Sequence, residues 1–309
     1  MRIVLIISII GFYQCTQPIA NPITEPEKKL VISSFFTADE QLTVWVGYPH
    51  DILTDTLLFE ANATVELFEN EQFIENINYI SDGHYQSNYI LKTGQKYRIE
   101  VKTNELSASA EDVIPAKVLA DSTFYEYVDL GNWDAIQKYR FQFQDISNEK
   151  NYYEFLFLKI YYPQMDLVDV NFVTFPRLMD PILNNENDYA FEPFTFFFSD
   201  ELINGQRYEM NMEMEYSAWN DTIHDDLNLD FVIDNYENYL VFRTISKTYY
   251  DFQKSWAKHR SNQNIVTFYN NMPDVGMATF SEVQPLYTNI KNGYGIFVAY
   301  QEQIIPFEE

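Results

Sequence analysis

Apolar and polar residues alternate through most of the chain beyond Lys28, and this period of two calls for strands rather than a helical bundle. Ala63, Val65 and Leu67 fall on one face of such a strand, as do Tyr97, Ile99 and Val101. Lys29–Phe36, Gln41–Tyr48, Ala63–Glu69, Gln72–Ile80, Tyr85–Leu91, Lys96–Thr103 and Leu106–Val113 read as strands. Asn70-Glu71, Ser81-Asp82-Gly83 and Thr93-Gly94 carry turn chemistry between them, and Pro115 closes the series. Short strands at this spacing predict an immunoglobulin- or transthyretin-like β-sandwich over 28–117.

The pattern continues in 118–309, which predicts a larger β-rich domain with one packed α-helix. Lys138–Gln144, Tyr152–Tyr162, Phe172–Phe175, Glu192–Phe198, Arg207–Tyr216, Leu227–Ile233 and Tyr239–Ile245 are strand-like and rich in Phe and Tyr. Thr174–Phe194 holds three prolines and Asn184-Asn185, which predicts a long surface loop. Ser246–Arg260 breaks the period, because Tyr249, Phe252 and Trp256 recur at three and four residues. That is a helix with Ser246 as its cap and an aromatic stripe against the sheet. Lys254, Lys258, His259 and Arg260 crowd its end, where cations complement the helix dipole.

The start of the chain reads as an address. Met1-Arg2 precedes the apolar run Ile3–Ile10, which is too short to span a bilayer and suits a secretory signal. Cys15 follows closely and is the one cysteine of the chain. A lone cysteine in this place marks a bacterial lipoprotein, with 1–14 removed and lipid carried on Cys15. Gln14 stands where such signals favour a small residue. Residues 15–27, with Pro18, Pro22 and Pro26, form an extended lipidated tether reaching at most about 40 Å.

Charge and motif content exclude several functions. Forty-six acids against 20 Lys and Arg give a formal net charge of −26, which argues against nucleic acid, since phosphate binding needs clustered cations. One cysteine rules out an internal disulfide and a zinc site built on cysteines. Gly293-Tyr294-Gly295 is followed by Val298 where a dinucleotide fingerprint needs glycine. His50, His84, His224 and His259 form no metal or protease motif. Asp226, Asn228, Asp230, Asp234 and Glu237 match the ligand positions of a calcium loop, but Phe231 occupies the turn position that needs glycine. Leu227, Leu229, Phe231 and Ile233 alternate with those acids, which reads as a strand with an acidic outer face. No catalytic residue, metal site or cofactor is expected. Aromatic residues make up 17% of the chain and read as strand and core rather than sugar platforms.

A series of segments in fixed order resembles a known family. Pro26-Glu27-Lys28-Lys29-Leu30-Val31-Ile32 ends the tether, and Ala63-Thr64-Val65-Glu66-Leu67 precedes Asp82-Gly83-His84-Tyr85 and Gly94-Gln95-Lys96-Tyr97. Phe198-Ser199-Asp200-Glu201 runs to Gly205, Ile245-Ser246-Lys247-Thr248-Tyr249-Tyr250 opens the helix, and Asn289–Tyr300 forms a closing strand. Together they resemble the Bacteroidota outer-membrane lipoproteins grouped as domain of unknown function 4249. That resemblance implies a non-enzymatic accessory or ligand-capture partner of a TonB-dependent receptor at the outer membrane, held by its lipid anchor. The rivals are a cell-surface adhesin or structural protein, and a surface glycan hydrolase. The hydrolase requires two carboxylates about 5–9.5 Å apart in a cleft, one with a raised pKa.

Overall fold

The computed structural model describes residues 27–50, 58–131, 134–161, 169–172, 176–177, 180–186, 195–217, 222–224, 230–232, 236–264 and 285–307. The chain is mainly β, as the alternation predicts.

Nine strands come first: β1 (Leu30–Phe36), β2 (Gln41–Tyr48), β3 (Leu58–Phe59), β4 (Thr64–Glu69), β5 (Gln72–Asn76), β6 (Asn78–Ser81), β7 (His84–Ile90), β8 (Lys96–Lys102) and β9 (Ser107–Val113). The run Gln72–Ile80, expected as one strand, serves two sheets: β5 pairs β4, and β6 pairs β7. The break falls at Ile77, whose side chain is buried and whose N–H bonds Val65 O at 2.7 Å. A four-stranded sheet, β5-β4-β8-β9, covers the sheet that holds β1, β2 and β7. Leu30, Ile32, Leu42, Val44 and Val46 meet Val65, Leu67, Ile99 and Val101 between them.

Then follow β10 (Ala120–Gly131), β11 (Asp134–Gln144), β12 (Tyr152–Tyr161), β13 (Asp169–Phe172), β14 (Pro176–Arg177), α1 (Pro181–Glu186), β15 (Phe196–Ser199), β16 (Arg207–Ser217), β17 (Thr222–His224), β18 (Asp230–Val232), β19 (Tyr236–Ile245), α2 (Lys247–Asn264) and β20 (Gly293–Pro306). The sheet β10-β11-β16-β14 packs on β12, β15 and β19 through Tyr139, Phe141, Phe143, Phe155, Phe198 and Phe242. The largest fully buried side chains of the described residues are all Tyr or Phe, so the aromatic content is core.

The two regions share one ten-stranded sheet whose path is β13-β12-β19-β20-β1-β2-β7-β6. The seam is β20. Its first half, Gly293–Ala299, lies parallel to β1, and its second half, Tyr300–Pro306, lies antiparallel to β19. A sequence division at 117/118 assigns this strand wholly to the second unit, yet Phe297 and Ala299 sit in the first core. Nothing local in a sequence announces a parallel partner more than 250 residues away. The approach is close: a Cβ on Gly295, whose φ is +101°, would lie 2.0 Å from Ile32 O.

Two expectations need correction. The stretch Thr174–Phe194 is not simply a surface loop. Pro176 pairs with Met214 at a sheet edge, where a missing N–H is tolerated, and Pro181 opens α1. Asp180 Oδ1 accepts the Ile182 N–H at 3.0 Å, and Ile182 and Leu183 are buried. Pro181, read as part of that loop, is a helix start. Second, α2 begins as expected, with Ser246 Oγ accepting the Tyr249 N–H at 3.1 Å, but runs on to Asn264. Its last turn therefore carries no cation.

The helix crosses the seam on the face of the ten-stranded sheet opposite the two four-stranded sheets. Tyr249 and Tyr250 are buried with Tyr152, Ile245, Ile296 and Val298. Tyr249 meets the Phe35 ring edge-on, centroids 5.5 Å apart. Trp256, third in the aromatic stripe, remains 42% exposed.

Candidate functional site

Cys15 lies outside the described residues, as do Asp226, Asn228 and Asp234 of the calcium-like stretch. Asp230 falls in β18 and Glu237 in β19. Among the described residues no group of three His, Cys, Asp or Glu side chains could hold a metal ion, and no helix is long and apolar enough to cross a membrane.

The structure brings a different set together. A cleft of about 310 Å³ opens between α1, the β12 and β15 strands and the first two turns of α2. Lys247, Tyr250, Asp251 and Lys254 line it from the helix, at the i, i+3, i+4 and i+7 positions of one face. Ser199 and Glu201 come from the turn after β15, Asn185 and Glu186 from α1, and Lys150 and Tyr152 from the start of β12.

Glu186 organises the floor. Its carboxylate accepts hydrogen bonds from Ser199 Oγ at 2.8 Å, Lys254 Nζ at 3.2 Å and the Tyr250 hydroxyl. Burial pushes this carboxyl up, but the bonds from Tyr250 and Ser199 and the Lys254 charge outweigh it and hold it below the ordinary range. A glycosidase acid needs the reverse shift. The same environment drives the Tyr250 phenol far above its ordinary value, through burial first and then Glu186. Lys247 pairs with Asp251 one turn on. The Lys150 ammonium lies 5.8 Å from the centre of the Tyr152 ring.

The turn that presents Ser199 and Glu201 is locked from beneath. Asp200, buried, accepts the Asn151 N–H at 2.8 Å. Asp145, also buried, accepts the Gly205 N–H at 2.6 Å and the Tyr153 hydroxyl. Gly205 holds φ at +70°, and a Cβ there would lie 2.8 Å from Ser147 Cβ. These carboxylates are committed to the turn.

Beside the cleft, a second buried cluster ties α2 to the sheet. Arg243 Nη1 donates to Glu154 Oε2 at 2.8 Å, and its Nη2 pairs with Glu302 at 2.6 Å. Tyr249 and Gln253 of α2 also donate to Glu154, which is fully buried. Burial lowers and the Glu154 charge raises the Arg243 pKa, with a net rise, so the guanidinium stays charged. At the helix start, Asp112 of β9 accepts from Ser246 Oγ and from the Ala299 N–H of β20 at 2.9 Å. Burial pushes Asp112 up to about 6.

A family model described as a domain of unknown function, DUF4249, matches residues 16–304. The chain belongs to this family. The match begins directly after Cys15 and spans both sandwiches and the helix. No curated protein matches the chain. Two of the segments on which the resemblance rests, Phe198–Gly205 and Ile245–Tyr250, converge on the cleft: the first supplies Ser199 and Glu201, the second Lys247 and Tyr250. Lys254, expected near the helix end as a complement to its dipole, instead lies two turns from the start of a longer helix and pairs with Glu186. The spacing of Lys247, Tyr250, Asp251 and Lys254 was there to be read on the adjoining face.

Proposed function

We propose that this protein is a non-enzymatic, lipid-anchored protein of the bacterial outer membrane that captures a ligand for a TonB-dependent transporter. Cys15 carries the lipid, and the tether to residue 27 holds the body within about 40 Å of the membrane. The observation that carries the ligand-capture reading is the convergence of two family-like segments on one cleft. The apolar run Ile3–Ile10 followed by the chain's one cysteine supports the anchor. Several buried carboxylates, Glu154, Asp145 and Asp200 among them, are spent on ion pairs or hydrogen bonds that hold the fold, which suits a binding scaffold.

A pull-down of the tagged protein from native outer membranes in mild detergent tests the partnership. Near-equal recovery of a TonB-dependent receptor is the expected result. Recovery of the protein alone would remove the transporter and favour the adhesin.

A further inference from the structure

The lining of the cleft narrows what it can hold. Three lysines and three carboxylates line it, so their formal charges cancel. Lys254 pairs with Glu186 and Lys247 with Asp251. Lys150 and Glu201 line the same cleft from the residues that flank the β12–β15 pairing. A free anion gains little from a balanced site and meets the field of a chain carrying −26. A metal ion finds no set of three ligands among the described residues. An apolar ligand finds no open ring, because Tyr152 and Tyr250 are 6% and 7% exposed and lie against each other, centroids 4.7 Å apart.

What the cleft does offer is a rim of donors beside acceptors. The ammonium groups of Lys150 and Lys247 donate, the Asn185 amide does both, and Glu201 and Asp251 accept. An uncharged molecule dense in hydroxyl groups matches this rim, since each hydroxyl both donates and accepts. We propose that the cleft binds a neutral carbohydrate. Its volume lies at the small end of ligand pockets, which suits a unit of one or two sugar rings. This deepens the ligand-capture reading and rests on it.

The test is saturation-transfer NMR on the full chain with glucose, galactose, mannose, N-acetylglucosamine, maltose and cellobiose. Citrate and glutamate serve as charged comparators. At least one sugar should bind, with affinity unchanged within about twofold between roughly 50 and 500 mM salt, because a neutral ligand is not screened. The double variant Lys150→Ala/Glu201→Gln should weaken it by about tenfold or more, the loss of hydrogen bonds to charged groups. Both residues are exposed, so the variant should keep its fold, which circular dichroism checks. Absence of binding by every sugar would overturn the proposal. So would equal binding by the double variant, or citrate binding that disappears with salt. The outer-membrane pull-down reads the transporter partnership separately, so either claim can fail while the other stands.

Discussion

The first sandwich is closed mainly by Leu, Ile and Val, the second by Phe and Tyr, and the two cores are built on one sheet. The aliphatic half joins hairpins between near neighbours, such as β4–β5 and β8–β9, through the more distant pairs β2–β7 and β4–β8. The aromatic half gathers β13, β15 and β19 around β12, and only the first of these is next to β12 in the chain. The halves therefore differ in the side chains that fill them and in how many strands gather on one, since β12 alone pairs with three. The seam strand β20 makes neither half complete without the other.

The sharpest way to break the comparison is at that seam. Gly295→Val places side-chain atoms against Ile32 O at a positive φ, and backbone strain and overpacking together should cost about 5 kcal/mol. Urea unfolding followed by fluorescence should show both halves weakened together in one transition. Two separate transitions, with only one shifted, would show that the halves fold independently.

Next in size is the contrast between the cores. Phe242→Ala removes a ring that touches Phe141, Phe143 and Tyr153, and should cost about 4 kcal/mol. Leu42→Ala in the first core should cost about 3 kcal/mol. Equal midpoint shifts in denaturant, with unchanged slopes, would erase the distinction.

Arg243→Ala leaves the fully buried Glu154 without its cation and should cost about 3 kcal/mol. Hydrogen exchange should show the loss concentrated in α2, which Tyr249 and Gln253 attach to that carboxylate.

Acid should act through Asp112 and Glu186 with opposite sign. Asp112 is raised to about 6 in the folded protein, so the native state binds its proton more readily than the unfolded chain. Its contribution to stability rises as pH falls from above 6 towards 4, by up to about 3 kcal/mol. Glu186 is lowered, so its contribution is present above the ordinary carboxyl range and lost as pH falls through the folded value. Asp200 is raised by burial as well, so thermal unfolding from pH 7 to 4 should show a rise in the wild type that is smaller in Asp112→Asn. Glu186→Gln should flatten the decline at lower pH.

Much of the first region was legible because alternation and turn chemistry act over a few residues. Gln41–Tyr48 matches β2 residue for residue, and Ser246 caps α2 as its sequence position suggests. The β20–β1 pairing was half legible: Gly293 and Gly295 leave room for another backbone to approach, but that β1 supplies it from the other end of the chain was not to be read. Pro181 misled because the same fixed φ that breaks a helix interior also starts a helix. Of the cleft, the helix face was readable and the rest was not. Glu186 and Ser199 meet only because α1 and β15 fold back beneath α2.

The functional account depends most on the anchor. Intact-mass spectrometry of the protein purified from its native cells, with sequencing of its amino-terminal peptide, tests it directly. The account predicts a mature chain that starts at Cys15 and carries the added mass of a diacylglyceryl group. A chain that starts elsewhere, or an unmodified Cys15, would contradict it.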